Sequence, residues 1–399
     1  MTCDLVLSLF LPLISTFICL PIFTTRAACT GSSVPLPKGT IQTNPLASPP
    51  LHVICTDYDT LLDVLDHRKE LCPLAPLQMN VIAMDQPLTT PEVPSRFLEA
   101  AFLVGHIPQR VLPSDPRTSY ALYVPSKHYN PDPLGAGLGS NYLPRLPLVV
   151  FVHGTRRNTS AIFHSWVPFA ESTPCAILAP LFPSNMEGAN DLSSYKVLRS
   201  VTVRSDLALL SMLDEVARCW PGIETGKVYL TGFSGGGQFV HRFLYLYPER
   251  LAAASVGAPG KVTILDDQQG WPRGIADVQS IFDRPVQKEL IKQVRLQLVV
   301  GGADVELHGG KEFLDWVRKL KRQCKHREGL HDGNEEDGKS DSPSMGQGRR
   351  DTLERLHTMW KEDGIEAQFD VVPQVGHSAE GVQGYVLAFL QRCIPRPNE

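Results

Sequence analysis

From residue 118 onward the chain alternates between short apolar runs and segments of helical period. Thr118–Val124 (TSYALYV) is the first run with the β-branched and aromatic content of a strand. Leu146–Val152 is more strongly apolar and ends at His153-Gly154-Thr155. Ala176–Leu181, Val228–Thr231, Ala252–Val256, Arg295–Val300 and Ala367–Val372 complete the expected strands. Helical spacing recurs between them. In Leu207–Cys219, residues Leu209, Met212, Leu213 and Val216 share one face, and Asp206 stands where an N-cap or first-turn acid favours a helix. Helices are also expected directly after Ser234 and over Glu312–Lys321, Asp351–Lys361 and Val382–Arg392. Continuous apolar strands alternating with helices predict an α/β fold, a mostly parallel sheet with helices on both faces.

Three regions depart from the alternation. Lys261–Lys292 carries Trp271, Ile281 and Phe282, and reads either as a lid over a site or as a surface helix packed on the sheet edge. Cys324–Arg350 is charged, contains glycine and has no aromatic residue, with Glu335-Glu336-Asp337 at its centre. Such a segment cannot bury enough apolar surface to fold, so a disordered insertion over 324–350 is expected. Residues 29–105 show no sustained period and carry Pro35-Leu36-Pro37 and Pro45–Pro50, which reads as an irregular Pro-rich extension with one short helix over Thr56–Leu71. The α/β domain is then expected over 106–399.

The first 28 residues hold an uncharged apolar run, Leu5–Phe23, followed by Arg26-Ala27-Ala28. A small-residue site after an apolar run suits a secretory signal, although Asp4, Pro12 and Pro21 and the lack of a leading Lys or Arg do not. A single membrane anchor is the other reading, and it would give the chain a membrane contact. Either would place the protein outside the cell or in the endomembrane system; otherwise it is cytoplasmic. The one N-x-[ST] sequon, Asn158-Thr159-Ser160, lies just past a loop with a chemical role below, so it is either unused or kept from glycosylation.

Composition narrows the function classes. With 399 residues, a net charge of -4 and a pI near 6.3, nothing favours a nucleic-acid partner. The nine cysteines include no C-x-x-C pair, so neither a metal nor a redox cofactor is expected.

The chemistry centres on Lys227–Gly260, which holds Gly232-Phe233-Ser234-Gly235-Gly236 between an apolar strand and a helix. Strand, sharp turn and helix is the context in which G-x-S-x-G forms a nucleophile elbow. The turn strains the serine backbone and brings other backbone close, which explains the glycines two residues to either side. Ser234 is thus the candidate nucleophile. A serine hydroxyl needs an adjacent base, and His377, just past the last strand, is the candidate. Asp304, at a strand end after a glycine pair, is the candidate acid that holds the imidazole, with Glu306 as its competitor. The oxyanion hole needs two backbone N–H groups, assigned to Gly235 and Thr155, with Arg156 as neighbouring option. His153 reads as structural, and Arg156 and Arg157 as solvated rather than as a guide for acidic substrates.

These motifs, in the order Ser, Asp, His, resemble the α/β-hydrolase superfamily over about Thr118 to Cys393. The resemblance implies an α/β-hydrolase fold and cleavage of an ester, thioester or amide of a small to medium organic substrate through an acyl-enzyme. Gly105–Asn130 with Val152–Asn158 looks like hydrolases encoded beside fungal polyketide pathways, which implies release or tailoring of such a product. The chain is also similar to secreted carboxylesterases of the feruloyl esterase and polyhydroxyalkanoate depolymerase type. A non-catalytic binding protein on the same scaffold is a third reading.

Overall fold

The structure is a computed structural model that describes residues 87–133, 143–189, 191–306, 319 and 348–395. All lie in one compact unit, Asn80–Glu399. The expected signal or anchor, the helix over Thr56–Leu71 and most of Glu312–Lys321 and of 324–350 fall outside the described residues.

Eight strands form one sheet: β1 (Gly105–Val111), β2 (Ser119–Val124), β3 (Leu146–Val152), β4 (Ala176–Leu181), β5 (Ile223–Phe233), β6 (Leu251–Gly257), β7 (Arg295–Gly301) and β8 (Gln368–Val372). Their spatial order is β1-β2-β4-β3-β5-β6-β7-β8. Only β2 runs antiparallel to its neighbours, β1 and β4; every pair from β4 to β8 is parallel. The central strands are buried on both sides, as their unbroken apolar runs require: Val149, Val150, Leu230, Ala254 and Leu298 are inaccessible to solvent.

The principal helices are α1 (Thr159–Ser172), α2 (Ser205–Cys219), α3 (Gly235–Leu246), α4 (Val278–Phe282), α5 (Lys288–Ile291), α6 (Arg349–Glu362) and α7 (Ala379–Cys393). Right-handed crossovers in this strand order put α1 on one face and α2 and α3 on the other. Side-chain bonds agree: Gln383 of α7 donates to the Ser165 carbonyl of α1. Opposite, Tyr247 just past α3 donates to Asp206 of α2, and Trp360 of α6 donates to the Tyr245 hydroxyl of α3. The result is the doubly covered, mostly parallel sheet expected from the sequence, and with the helix that starts directly after Ser234 it is the α/β-hydrolase fold.

The sequence pattern places the first strand at Thr118, but a strand precedes it. β1 has an alternation too weak to read, carries Pro108, and breaks register between Ile107 and Arg110. Proline is tolerated there because an edge strand has one unpaired side. The core also draws in residues ahead of position 105: Leu98, Leu103 and Val104 are buried, and Trp220 donates to the Leu103 carbonyl at 2.7 Å.

Lys261–Lys292 forms a loop and two short helices, α4 and α5. Its loop is tied down rather than free. Thr263 N–H donates to His241 Nε2, and Trp271 Nε1 donates to the Val197 carbonyl. Between this segment and the turn Ser194–Val197 opens a cavity of about 420 Å³, lined by Val197, Arg199, Trp271, Pro272 and Ile281 among others.

Candidate active site

The site lies at the C-terminal ends of the parallel strands, where their loops converge. Ser234 directly follows β5 and precedes α3, with φ 58° and ψ -112°. That left-handed conformation is strained for a residue with a Cβ. Backbone bonds hold it: Ser234 N–H donates to the Gly257 carbonyl at 2.8 Å, and Gln238 N–H donates to the Ser234 carbonyl at 3.1 Å. The flanking glycines allow close approach of main chain. A Cβ on Gly232 would stand 2.7 Å from the Gly236 carbonyl carbon, and one on Gly236 would stand 2.1 Å from the Val152 oxygen. The helix can therefore begin against the ends of β3 and β5 only because these positions carry no side chain.

His377 follows β8 across the sheet end. Its Nδ1 donates to Asp304 Oδ2 at 2.7 Å, and its ring lies 4.7 Å from that of Phe233, the residue before Ser234. The His377 side chain is 23% accessible and that of Asp304 2%, so the candidate base is open to solvent and the candidate acid is not. The structure records no hydrogen bond between Ser234 Oγ and His377 Nε2; in unliganded enzymes this contact is commonly long and tightens with substrate. Glu306, the competing carboxylate, is exposed, and among the described residues it offers only its carbonyl, to Arg349.

Arg349 is a residue that sequence reasoning missed. Its Nη1 lies 3.3 Å from Asp304 Oδ1, with only 10% of the side chain accessible. The two oxygens of Asp304 thus face two partners, His377 and Arg349. The sequence pattern had carried the disordered insertion through Arg350. The structure begins α6 at Arg349 instead, and Gly348 packs so closely on Val305 that a Cβ would meet the Val305 carbonyl oxygen at 2.3 Å. Charge and glycine content hid this. A buried arginine and a solvated one look alike in sequence until the buried carboxylate is located.

Gly235, the first residue of α3, has an N–H with no intrahelical partner, as at every helix start. Thr155 N lies 3.1 Å from where a Cβ on Gly235 would stand. Among the described residues no acceptor pairs with the Thr155 N–H. Two main-chain donors therefore meet beside Ser234, at the positive end of the α3 dipole. Arg156 is exposed at the next position.

Arg157 departs from the expectation of a solvated side chain. It donates to the carbonyls of Thr155 at 2.6 Å, Phe182 at 3.1 Å and Leu192 at 3.2 Å, and its guanidinium lies over the Tyr195 ring. It fixes the loop that presents Thr155. His153 is structural, as its position after β3 suggested. Nδ1 donates to the Gly154 carbonyl and Nε2 accepts from Phe182 N–H. Burial lowers it to about 4, so it stays neutral in that role.

Among the described residues no cluster of His, Cys, Asp or Glu could hold a metal ion, and no helix is long and apolar enough to cross a membrane. Cys175, Cys219 and Cys393 are free, buried thiols.

No protein-family profile matches the sequence, nor does any curated protein. Solved structures do align with it. Poly(aspartic acid) hydrolase-1 from Sphingomonas sp. KT-1 aligns over 69% of this chain and 93% of its own, with 19% identity and a TM-score of 0.48. LpqC, a poly(3-hydroxybutyrate) depolymerase from Bordetella parapertussis, aligns over 70% and 85%, with 18% identity and a TM-score of 0.46. Siderophore hydrolase EstA from Aspergillus nidulans aligns over 69% and 90%, with 14% identity and a TM-score of 0.39. All three are hydrolases by name, and each resembles this chain only at low identity.

Proposed function

We propose that the chain is a serine hydrolase that cleaves an ester, thioester or amide of a small organic substrate through an acyl-enzyme. The observation that carries this reading is the Asp304–His377 hydrogen bond at the sheet end that holds Ser234 at φ 58°. Ser234 Oγ attacks the substrate carbonyl while His377 Nε2 takes the hydroxyl proton. Negative charge moves to the carbonyl oxygen, where the Gly235 and Thr155 N–H groups receive it. His377 then returns the proton to the leaving group. Water repeats the sequence on the acyl-serine, with His377 again as base, and frees the acid. Asp304 holds the imidazole with Nδ1–H inward and stabilises the imidazolium in both halves. No step calls for a cofactor.

Fluorophosphonate labelling tests this directly. Wild-type protein should form a covalent adduct at Ser234, and Ser234→Ala should neither label nor hydrolyse p-nitrophenyl acetate. Hydrolysis by Ser234→Ala above about a hundredth of wild type would refute the reading, since a triad serine is worth several orders of magnitude.

Within that class we favour release or tailoring of a polyketide-type acyl chain. The support is the sequence resemblance over Gly105–Asn130, the stretch that builds β1 and β2, and over Val152–Asn158, the loop that carries Thr155. Acyl N-acetylcysteamine thioesters, which mimic carrier-bound chains, should then be better substrates than methyl ferulate or poly(3-hydroxybutyrate). The reverse preference would favour the secreted carboxylesterase reading.

A further inference from the structure

The turn Ser194–Val197 lies over the start of α3, and it brings an unusual charge there. Lys196 is only 7% accessible. A Cβ on Gly235 would lie 2.9 Å from Lys196 Cε and 2.5 Å from Tyr195 Oη, on the side where it would also meet Thr155 N. The lysine stem therefore runs beside the two main-chain donors. Its one hydrogen bond within the described structure is long, from Nζ to Ser193 Oγ at 3.4 Å.

Among the described residues no carboxylate pairs directly with that charge, and its nearest aromatic face is the Tyr195 ring, 5.8 Å from Nζ. The charged groups that bear on it are Arg157, Arg242, Lys261 and Asp191. Asp191 is already engaged: its carboxylate accepts from the N–H groups of Glu187, Ser193 and Ser194 and from the Ser194 hydroxyl. Arg157 and Arg242 spend their hydrogen bonds on neutral acceptors. Arg242 is 1% accessible and donates to Thr263 Oγ1, to Gln238 Oε1 and to the carbonyl of Lys196 itself. A buried ammonium normally finds an anion or loses its proton. Here burial, the largest cause, lowers Lys196 to about 8, with Asp191 opposing from a distance, so it keeps its proton near neutrality without a direct ion pair.

We propose that Lys196 sets substrate specificity: its ammonium, on the oxyanion-hole side of Ser234, takes an acyl group that carries a carboxylate close to the carbonyl under attack. This rests on the serine-hydrolase reading above. The charge belongs to the acyl side because Lys196 flanks Gly235, whereas the leaving group departs past His377. The substrate anion then completes the site by supplying the direct ion-pair partner that no described residue provides.

The test uses two p-nitrophenyl esters of equal length, the hemisuccinate and the butyrate. Wild type should favour the hemisuccinate in kcat/KM at pH 7. Lys196→Met should lower kcat/KM for the hemisuccinate by about 30-fold and for the butyrate by less than about threefold, as loss of a hydrogen bond to a charged group implies. Lys196→Arg should keep the preference. In wild type the preference should fade as pH rises through about 8, where Lys196 loses its proton, and Lys196→Met should show no such trend. An equal fall for both esters would assign Lys196 to general oxyanion stabilisation or to packing, and would overturn the proposal. Absence of any preference in wild type would do the same. If Lys196→Met fails to fold, the wild-type pH profile still decides. Failure of the underlying reading looks different: Ser234→Ala would then hydrolyse both esters.

Discussion

Arg349→Met probes how Asp304, the proposed triad acid, is held. The substitution keeps most of the side-chain volume and removes the guanidinium that faces Asp304. At 3.3 Å and an effective dielectric near 20, two unit charges attract by about 5 kcal/mol. Desolvation opposes much of that, and Arg349 Nε is buried with no partner, so the net value is smaller. Removing one partner of a buried pair typically costs about 3–5 kcal/mol, because a charge is left uncompensated. Asp304 would retain His377, which places Arg349→Met near the lower end, about 3 kcal/mol. For a unit of this size the midpoint of thermal unfolding should fall by about 5–10 °C. Activity should fall less than the acid's own removal demands. With Asp304 still bonded to His377 the imidazole keeps its tautomer, so a loss in kcat of about tenfold is expected, against about 10³–10⁴ for Asp304→Asn. Circular dichroism melts and p-nitrophenyl acetate kinetics on the two variants provide the comparison. Unchanged melting and unchanged kcat in Arg349→Met would refute the argument. So would a kcat as low as that of Asp304→Asn in a protein that melts normally.

Three further expectations follow from the same geometry. Glu306→Gln should change kcat by less than about tenfold, because its carboxylate takes no part in the Asp304 cluster; steady-state kinetics beside Asp304→Asn would show it. Replacing 324–347 by a short linker while keeping Gly348, Arg349 and Arg350 should leave melting and esterase activity nearly unchanged, since loop closure depends weakly on length. Extending the deletion through Arg350 should cost both, and equal outcomes for the two deletions would contradict the role of Arg349. Finally, burial lowers two histidines from 6.5, His153 to about 4 and His241 to about 3. Over that window the unfolded chain binds protons that the folded one does not, so stability should fall as pH drops from about 6.5 toward 4. Urea titrations at several pH values should show a shallower decline in His241→Gln.

Much of the architecture could be read from residue patterns because the central strands are buried on both faces. There the apolar run is continuous, and a loop cannot imitate it. The elbow was legible for the same reason, since main chain packed against main chain at Gly232 and Gly236 tolerates no other residue. What stayed hidden depends on contacts distant in sequence. β1 is half solvated and interrupted by Pro108, so it shows neither alternation nor a run. Lys196, Arg157 and Arg349 are each an ordinary charged residue in a polar stretch. Their meaning comes from what folding puts beside them: Gly235, the Thr155 loop and Asp304.

The layout of the sheet also sets how catalysis can fail. Ser234 directly follows β5 in the middle of the sheet, but His377 follows β8, an edge strand whose residues are mostly only partly covered. Edge elements of this kind open in fluctuations that need far less energy than global unfolding. The proposed hydrolytic machinery would thus be only as durable as its least protected border. On heating or in denaturant, activity should disappear before the β3–β5–β6 interior loosens. Amide hydrogens of Gln368–Val372 should exchange with solvent well ahead of those in Val228–Phe233.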